Sequence, residues 1–224
     1  FRLIAENRIE EVKPSRVIIQ LYVGNDLYDY DKPVNWSELS ILRNLFWSIS
    51  SNFRVLNYLN YKSGQFATTT ISAGSKQEDS FSVNHYSGRT KLYIDADESF
   101  PLSTIHLEGR SNETFNELVK DLNEISQLLE DNVELYVLII PHCTQVHQNY
   151  RTRFNSLGCD LGALKTQENE WSIRLKKEGF DVVDPLSTFK KHEKLGEELY
   201  FQNDPHLNST GQKVLSNFIN KQLQ

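Results

Sequence analysis

Two short polar segments contain residue types that can carry out acyl chemistry. Gly24 and Asn25 follow the apolar run RVIIQLYV, and Asp204 and His206 lie two residues apart in the segment LYFQNDPHLNSTG. A carboxylate beside a histidine can fix the imidazole tautomer and support its positive charge, as in the base half of a hydrolytic triad. A side-chain amide such as that of Asn25 can donate a hydrogen bond to a developing oxyanion.

Both segments also permit a simpler interpretation. Asn25 and Asp26 fit a turn that caps the following segment, because their side chains bond readily to nearby backbone groups. His206 fits a polar loop in which the ring only packs. Each motif taken alone therefore fits either a catalytic or a structural role.

A third polar segment, PHCTQVH, follows another apolar run. Its His142 is expected either to contact a substrate or to belong to a polar loop. Zinc accepts His and Cys ligands, but His142, Cys143 and His147 match no standard zinc spacing and have no evident fourth ligand. The sequence therefore predicts no metal and no cofactor. Cys143 and Cys159 could pair or remain free thiols, and the sequence leaves both possibilities open.

The elements around these segments alternate between helices and buried strands. Continuous apolar runs predict strands at 16–23, 134–140 and 180–183. Apolar residues spaced three and four apart predict helices, and these cover residues 1–12, 35–60, 112–129, 168–178 and 208–223. This order predicts an α/β fold with a parallel sheet covered on both faces. Ligands of such sheets bind at the carboxyl ends of the strands, where Gly24 and Asn25 follow the first one.

Composition narrows the possible functions. The chain has 224 residues, a formal net charge of −6 and 38% hydrophobic residues, which is typical of a single globular domain. A basic nucleic-acid surface is absent, and no apolar run approaches the roughly 18 residues needed to span a bilayer. Residues 61–110 are rich in Ser, Thr, Gly and Asp, and this predicts an insertion or lid within the domain.

The two motifs together resemble the SGNH (GDSL-like) hydrolases. VGNDL after a buried strand is similar to the third sequence block of that family, and DPHLN before a glycine and a C-terminal helix is similar to the fifth. The segments IIPHCTQV and GFDVVDP also resemble members, and the resemblance spans most of the chain except about 61–110. Long insertions of this kind are typical of the alginate O-acetyltransferase-like branch.

The resemblance implies a flavodoxin-like three-layer sandwich and a covalent acyl-serine mechanism. It implies that His206 is the general base, that Asp204 orients it and that Asn25 is an oxyanion donor, with Gly24 allowing the tight turn beside the substrate. Many members carry the acid three residues before the histidine, where this chain has Asn203. This departure weakens the role given to Asp204 more than the resemblance itself.

The serine is the larger departure. In the family it follows the first strand, well before the Asn block, and only 16 residues precede Val17 here. Ser80 in the sequence EDSF superficially matches a GDS motif, but no apolar strand precedes it and it follows Asn25, which is the wrong order. We therefore expect the serine and the first strands to lie upstream of Phe1, in a segment that completes the sheet. A relative that has lost the serine is the alternative.

The predicted function is that of a serine esterase or acyltransferase acting on an ester, with an O-acylated carbohydrate as the favoured substrate. Aromatic residues after the first strand could stack on a sugar ring or simply form core and rim: Tyr22, Tyr28, Tyr30 and Trp36. The alternative function is a non-catalytic module that binds a carbohydrate or a protein through the same cleft.

Overall fold

A computed structural model describes residues 11–31, 80–162 and 167–223, together with residues 5, 8, 9 and 164. The predicted helix at 35–60, Trp36 and residues 61–79 lie outside the described residues. In the part of the chain that is described, no helix combines the length and apolar character needed to cross a membrane.

A three-stranded parallel sheet forms the centre of the domain. Its strands are β1 (Arg16–Tyr22), β2 (Glu134–Ile140) and β3 (Asp181–Val183), in the order β1-β2-β3. β1 and β2 pair along their whole length, from Arg16 with Glu134 to Tyr22 with Ile140. All three predicted strands are confirmed to within one residue at each end, because long β-branched and apolar runs are typical of strands buried on both faces.

Helices connect and cover the strands. They are α1 (Asp26–Asp31), α2 (Gly88–Ala96), α3 (Phe100–His106), α4 (Arg110–Gln127), α5 (Cys143–Val146), α6 (Gln148–Ser156), α7 (Glu170–Lys177), α8 (Leu186–Lys194) and α9 (Ser209–Gln222). The predicted helices at 112–129, 168–178 and 208–223 correspond to α4, α7 and α9. Gly179, with φ of +93°, ends α7 in the left-handed conformation that glycine adopts without strain.

Two hydrophobic clusters lie on opposite faces of the sheet. Alternate strand residues belong to opposite clusters, since successive side chains of a strand point to opposite faces. Leu21 and Ile139 join the cluster that packs against α3, α4 and α7. Tyr22 and Ile140 join the one that packs against α6, α8 and α9. This arrangement confirms the predicted α/β sandwich with a parallel sheet.

The second half of the segment predicted to be an insertion contains regular structure. α2 and α3 lie within it and bury Ile94, Phe100 and Ile105 in the two clusters. The apolar residues of α2 are too few and too close together to mark one helical face, so the pattern does not reveal the helix. The description of 61–110 as one insertion or lid stays a prediction.

Candidate active site

The carboxyl ends of β1 and β2 bring two of the predicted segments to one edge of the sheet. The register sets Tyr22 opposite Ile140, and the Val23 amide donates to the Ile140 carbonyl at 3.0 Å. The turn that holds Gly24 and Asn25 follows β1 immediately, and the segment of His142 follows β2. Parallel pairing therefore places these segments side by side, as the sequence predicts.

The loop that carries His206 is fixed by backbone hydrogen bonds. Tyr200 and Leu207 form an antiparallel bridge, and the Phe201 amide donates to the His206 carbonyl at 3.0 Å. Asn208 accepts a hydrogen bond from the Gly211 amide at 2.9 Å and thereby caps α9. Its amide group also donates to the carbonyls of Glu198 and Tyr200, so a single side chain closes the base of the loop.

Asp204 and His206 form a hydrogen-bonded pair within this loop. Asp204 Oδ1 accepts from the His206 backbone amide at 2.9 Å and also contacts Nδ1 of the same histidine. The hydrogen bond to Asp204 raises the pKa of His206 above its usual value, and burial opposes this shift only in part. The charge of Asp26 raises the pKa further, and that of Arg89 lowers it.

The ring of His206 is accessible at the surface. Its side chain is 58% exposed, and that of Asp204 is 39% exposed. Among the described residues, no hydroxyl group is hydrogen-bonded to the His206 ring. Because Asp204 takes up Nδ1, the neutral ring presents an open Nε2 to a reacting group.

Tyr22 links the two motifs. Its ring centroid lies 5.2 Å from that of His206, and its hydroxyl donates to the Pro205 carbonyl at 2.7 Å. A Cβ atom on Gly24 would overlap the Tyr22 ring. Glycine is therefore required here for the close approach to that ring, in addition to the tight turn that the sequence predicts.

Asn25 and Asp26 continue from this glycine. Asn25 is half-buried in the turn, and the Asp26 carboxylate accepts a hydrogen bond from the Tyr22 backbone amide at 2.8 Å. Asp26 thus closes the turn, in agreement with the simpler interpretation of that residue. The Tyr22 ring therefore contacts both Gly24 and His206, and Asn25 follows Gly24 in the same turn.

His142 is buried, with 1% of its surface exposed. Its Nδ1 lies 2.7 Å from the Thr144 hydroxyl, and its ring packs against Tyr22 and Phe154. Burial lowers its pKa to about 3, so the ring is neutral. These contacts give His142 a capping and packing role behind Tyr22, and contact with a substrate stays a prediction.

Ser80 lies beside the His206 loop, but its contact is made by the backbone. Its carbonyl accepts a hydrogen bond from Asn203 Nδ2 at 3.0 Å, and Asn203 Oδ1 accepts from the Ser82 amide at 2.7 Å. Asn203 therefore ties the segment before α2 to the loop that carries His206. The sequence gives no local signal for this tie or for the Tyr22–Pro205 bond, because the partners are 121 and 183 residues apart.

The two cysteines are both buried and unpaired, and they belong to one hydrophobic cluster. Burial raises the pKa of the Cys143 thiol well above its usual value and that of Cys159 to about 12. In the described ranges, no group of three or more His, Cys, Asp or Glu side chains is arranged to hold a metal ion.

The fold and the site define an α/β sandwich with an aspartate–histidine pair at the carboxyl edge of its parallel sheet. The model of a protein family described as "SGNH hydrolase-like domain, acetyltransferase AlgX" matches residues 102–224, which is more than half of the chain. The chain therefore belongs to this family. No curated protein and no solved structure matches the chain.

Proposed function

We propose that this domain carries out acyl transfer as a serine esterase or O-acyltransferase, with an ester as its substrate. The observation that supports this most is the Asp204–His206 pair, held in a rigid loop next to the turn of Gly24 and Asn25. Membership of an SGNH hydrolase-like acetyltransferase family fits the same chemistry.

In this proposal His206 is the general base. Its Nε2 takes the proton of a serine hydroxyl as the serine oxygen attacks the acyl carbon. Asp204 holds the ring through Nδ1 and stabilises the imidazolium that forms. The Asn25 amide donates to the developing oxyanion, while His206 returns its proton to the departing alcohol. Water or a sugar hydroxyl then attacks the acyl-serine as His206 takes its proton. The acyl group leaves as the free acid or as a new sugar ester, and His206 returns the proton to the serine oxygen.

The serine lies outside the described residues in this proposal, on a segment that would add to the sheet. The favoured substrate is an O-acylated carbohydrate. Supporting this choice, Tyr28 lies three residues after Asn25 and is half-buried, with its ring centroid 4.5 Å from that of Tyr93. Such an aromatic pair offers a surface on which a sugar ring can stack. Gly24 would line the substrate side of the same turn.

Labelling with a fluorophosphonate probe, followed by peptide mapping, tests the proposal. It is applied to residues 1–224 and to a form that includes any coding sequence preceding Phe1. We expect label in the longer form, lost in His206→Ala and retained in His192→Ala. His192 is a matched control, because it also contacts a carboxylate, that of Glu197 at 2.9 Å.

The other outcomes are equally informative. If the form that contains only residues 1–224 takes up label, the nucleophile lies within these residues. That result would contradict a serine upstream of Phe1. Absence of label from both forms would overturn the enzymatic proposal and favour a module that binds a carbohydrate or a protein through this cleft.

A further inference from the structure

Tyr22 is the last residue of β1, and its side chain reaches across to the C-terminal loop. It is buried, with 7% of its surface exposed, although its ring contacts the exposed ring of His206. Its hydroxyl donates to the carbonyl of Pro205, the residue between Asp204 and His206 in the chain. Tyr22 therefore contacts both the ring and the backbone of the segment that carries the proposed base.

The Tyr22 ring has little freedom to move. On one side it packs against the buried ring of His142, with the centroids 6.2 Å apart and the planes inclined by 30°. Gly24 approaches so closely that any larger residue would overlap the ring. The Tyr22 backbone amide is held by the Asp26 carboxylate. A rigid ring with a hydroxyl at its tip can hold a loop in one position.

We propose that Tyr22 is a positioning residue for the His206 base: its hydroxyl fixes the Pro205 carbonyl, and its ring supports the imidazole. This inference rests on the proposed function of His206. It adds a direct connection between β1, which ends just before the proposed oxyanion donor Asn25, and the loop that carries the base. Misplacing a reacting group by about 1 Å can cost up to about a hundredfold in rate.

Tyr22→Phe tests the proposal, because it removes the hydroxyl and keeps the ring. Tyr200→Phe is the matched control. Tyr200 is also fully buried, and its hydroxyl likewise donates to a prolyl carbonyl, that of Pro141, at 2.7 Å. Tyr200 also pairs with Leu207 through its backbone, but Phe keeps that backbone, and the Tyr200 hydroxyl bonds to Pro141 outside the His206 loop. A difference between the two variants therefore reports what the Tyr22 hydroxyl adds to the position of His206.

The first readout is the pKa of His206, measured by an NMR titration of residues 1–224. This measurement does not depend on enzymatic activity. We expect Tyr22→Phe to lower the pKa of His206 towards its usual value, because the contact with Asp204 loosens, and Tyr200→Phe to leave it unchanged. Asp204→Asn added to Tyr22→Phe should cause less further shift than Asp204→Asn alone. Equal pKa values of His206 in Tyr22→Phe and the unsubstituted chain would overturn the proposal, as would equal shifts in both Phe variants.

The second readout is ester turnover by the form that labels with fluorophosphonate. We expect kcat to fall about tenfold in Tyr22→Phe with KM nearly unchanged, since the substitution misplaces the base without touching a substrate. A raised KM with unchanged kcat would contradict a positioning role. If neither form labels, the enzymatic proposal fails, while the titration still decides whether Tyr22 positions His206.

Discussion

At the scale of single residues, the protonation of His206 depends on one neighbour more than on any other. The Asp204 hydrogen bond raises its pKa above the usual value of about 6.5. Asp204→Asn should therefore lower this pKa towards 6.5, and NMR titration of the ring measures the change. Glu197→Gln, which removes the carboxylate beside His192, should leave the pKa of His206 unchanged.

The same pKa shift sets the expected pH dependence of activity. A general base must be neutral, so turnover should rise as the pH passes upward through the raised pKa of His206. In Asp204→Asn the rising limb should move to lower pH while the maximum rate falls. If turnover rises at the same pH in Asp204→Asn and in the unsubstituted protein, Asp204 does not set the pKa of the base.

The buried His142 leads to a prediction about stability. Its pKa is about 3 in the folded chain and about 6.5 when unfolded, so only the unfolded chain takes up the proton between these values. The contribution of His142 is therefore fully present above pH 6.5. It decreases as the pH falls from 6.5 towards 3, by about 1.4 kcal/mol per pH unit.

Urea unfolding of His142→Asn at several pH values checks this prediction. Asparagine is a good helix N-cap and preserves that role at α5. The variant should be less stable than the unsubstituted chain at pH 7.5, because the ring contacts with Tyr22 and Phe154 are lost. The difference should shrink as the pH falls. A difference that is constant down to pH 4.5 would contradict the buried neutral state of His142.

At the scale of secondary-structure elements, a glycine in the first turn of α9 allows that helix to pack closely against the loop that carries His206. A Cβ on Gly211 would overlap the backbone carbonyl of Leu199. In contrast, Gly88 at the start of α2 has open space where its Cβ would be. Alanine favours a helix over glycine by up to about 1 kcal/mol, so intrinsic propensity alone would make both substitutions stabilising.

We therefore expect opposite signs for Gly211→Ala and Gly88→Ala. The first should destabilise the chain by about 1–3 kcal/mol, as overpacking usually does, and the second should be neutral or stabilising. Denaturant midpoints measure both. Equal effects would mean that α9 moves away from Leu199 without cost, which would contradict a rigid loop around His206.

The elements that the sequence predicts well are those whose residues repeat a simple pattern. β2 matches its predicted bounds because the six residues after Glu134, LYVLII, form one continuous apolar run that is typical of a strand. The sequence pattern does not predict α2, because this helix is stabilised by tertiary contacts such as the burial of Ile94. The same holds for the candidate site. Asp204 and His206 are close in the sequence, so their pairing is predictable. The hydrogen bonds of Tyr22 to Pro205 and of Asn203 to Ser82 join residues more than 100 positions apart, and the sequence does not predict them.

At the scale of the whole molecule, helices cover both faces of the described sheet, and β1 is one of its two edge strands. Within the described residues, β1 pairs with β2 on one side, and no other strand pairs with its opposite edge. Ile18 in this strand is 42% exposed. An unpaired strand edge with apolar side chains is a template for pairing with another chain.

We predict that residues 1–224, prepared alone, self-associate through the edge of β1 that no strand of the described residues covers. Sedimentation velocity across a dilution series should show larger species at high concentration, and Ile18→Lys should suppress them because a charge on an edge strand opposes further pairing. Ile173→Lys is the matched control, since Ile173 is 44% exposed on α7, away from this edge. Equal suppression by both lysines would indicate association through general surface hydrophobicity, and a monomer at every concentration would show that this edge is already protected.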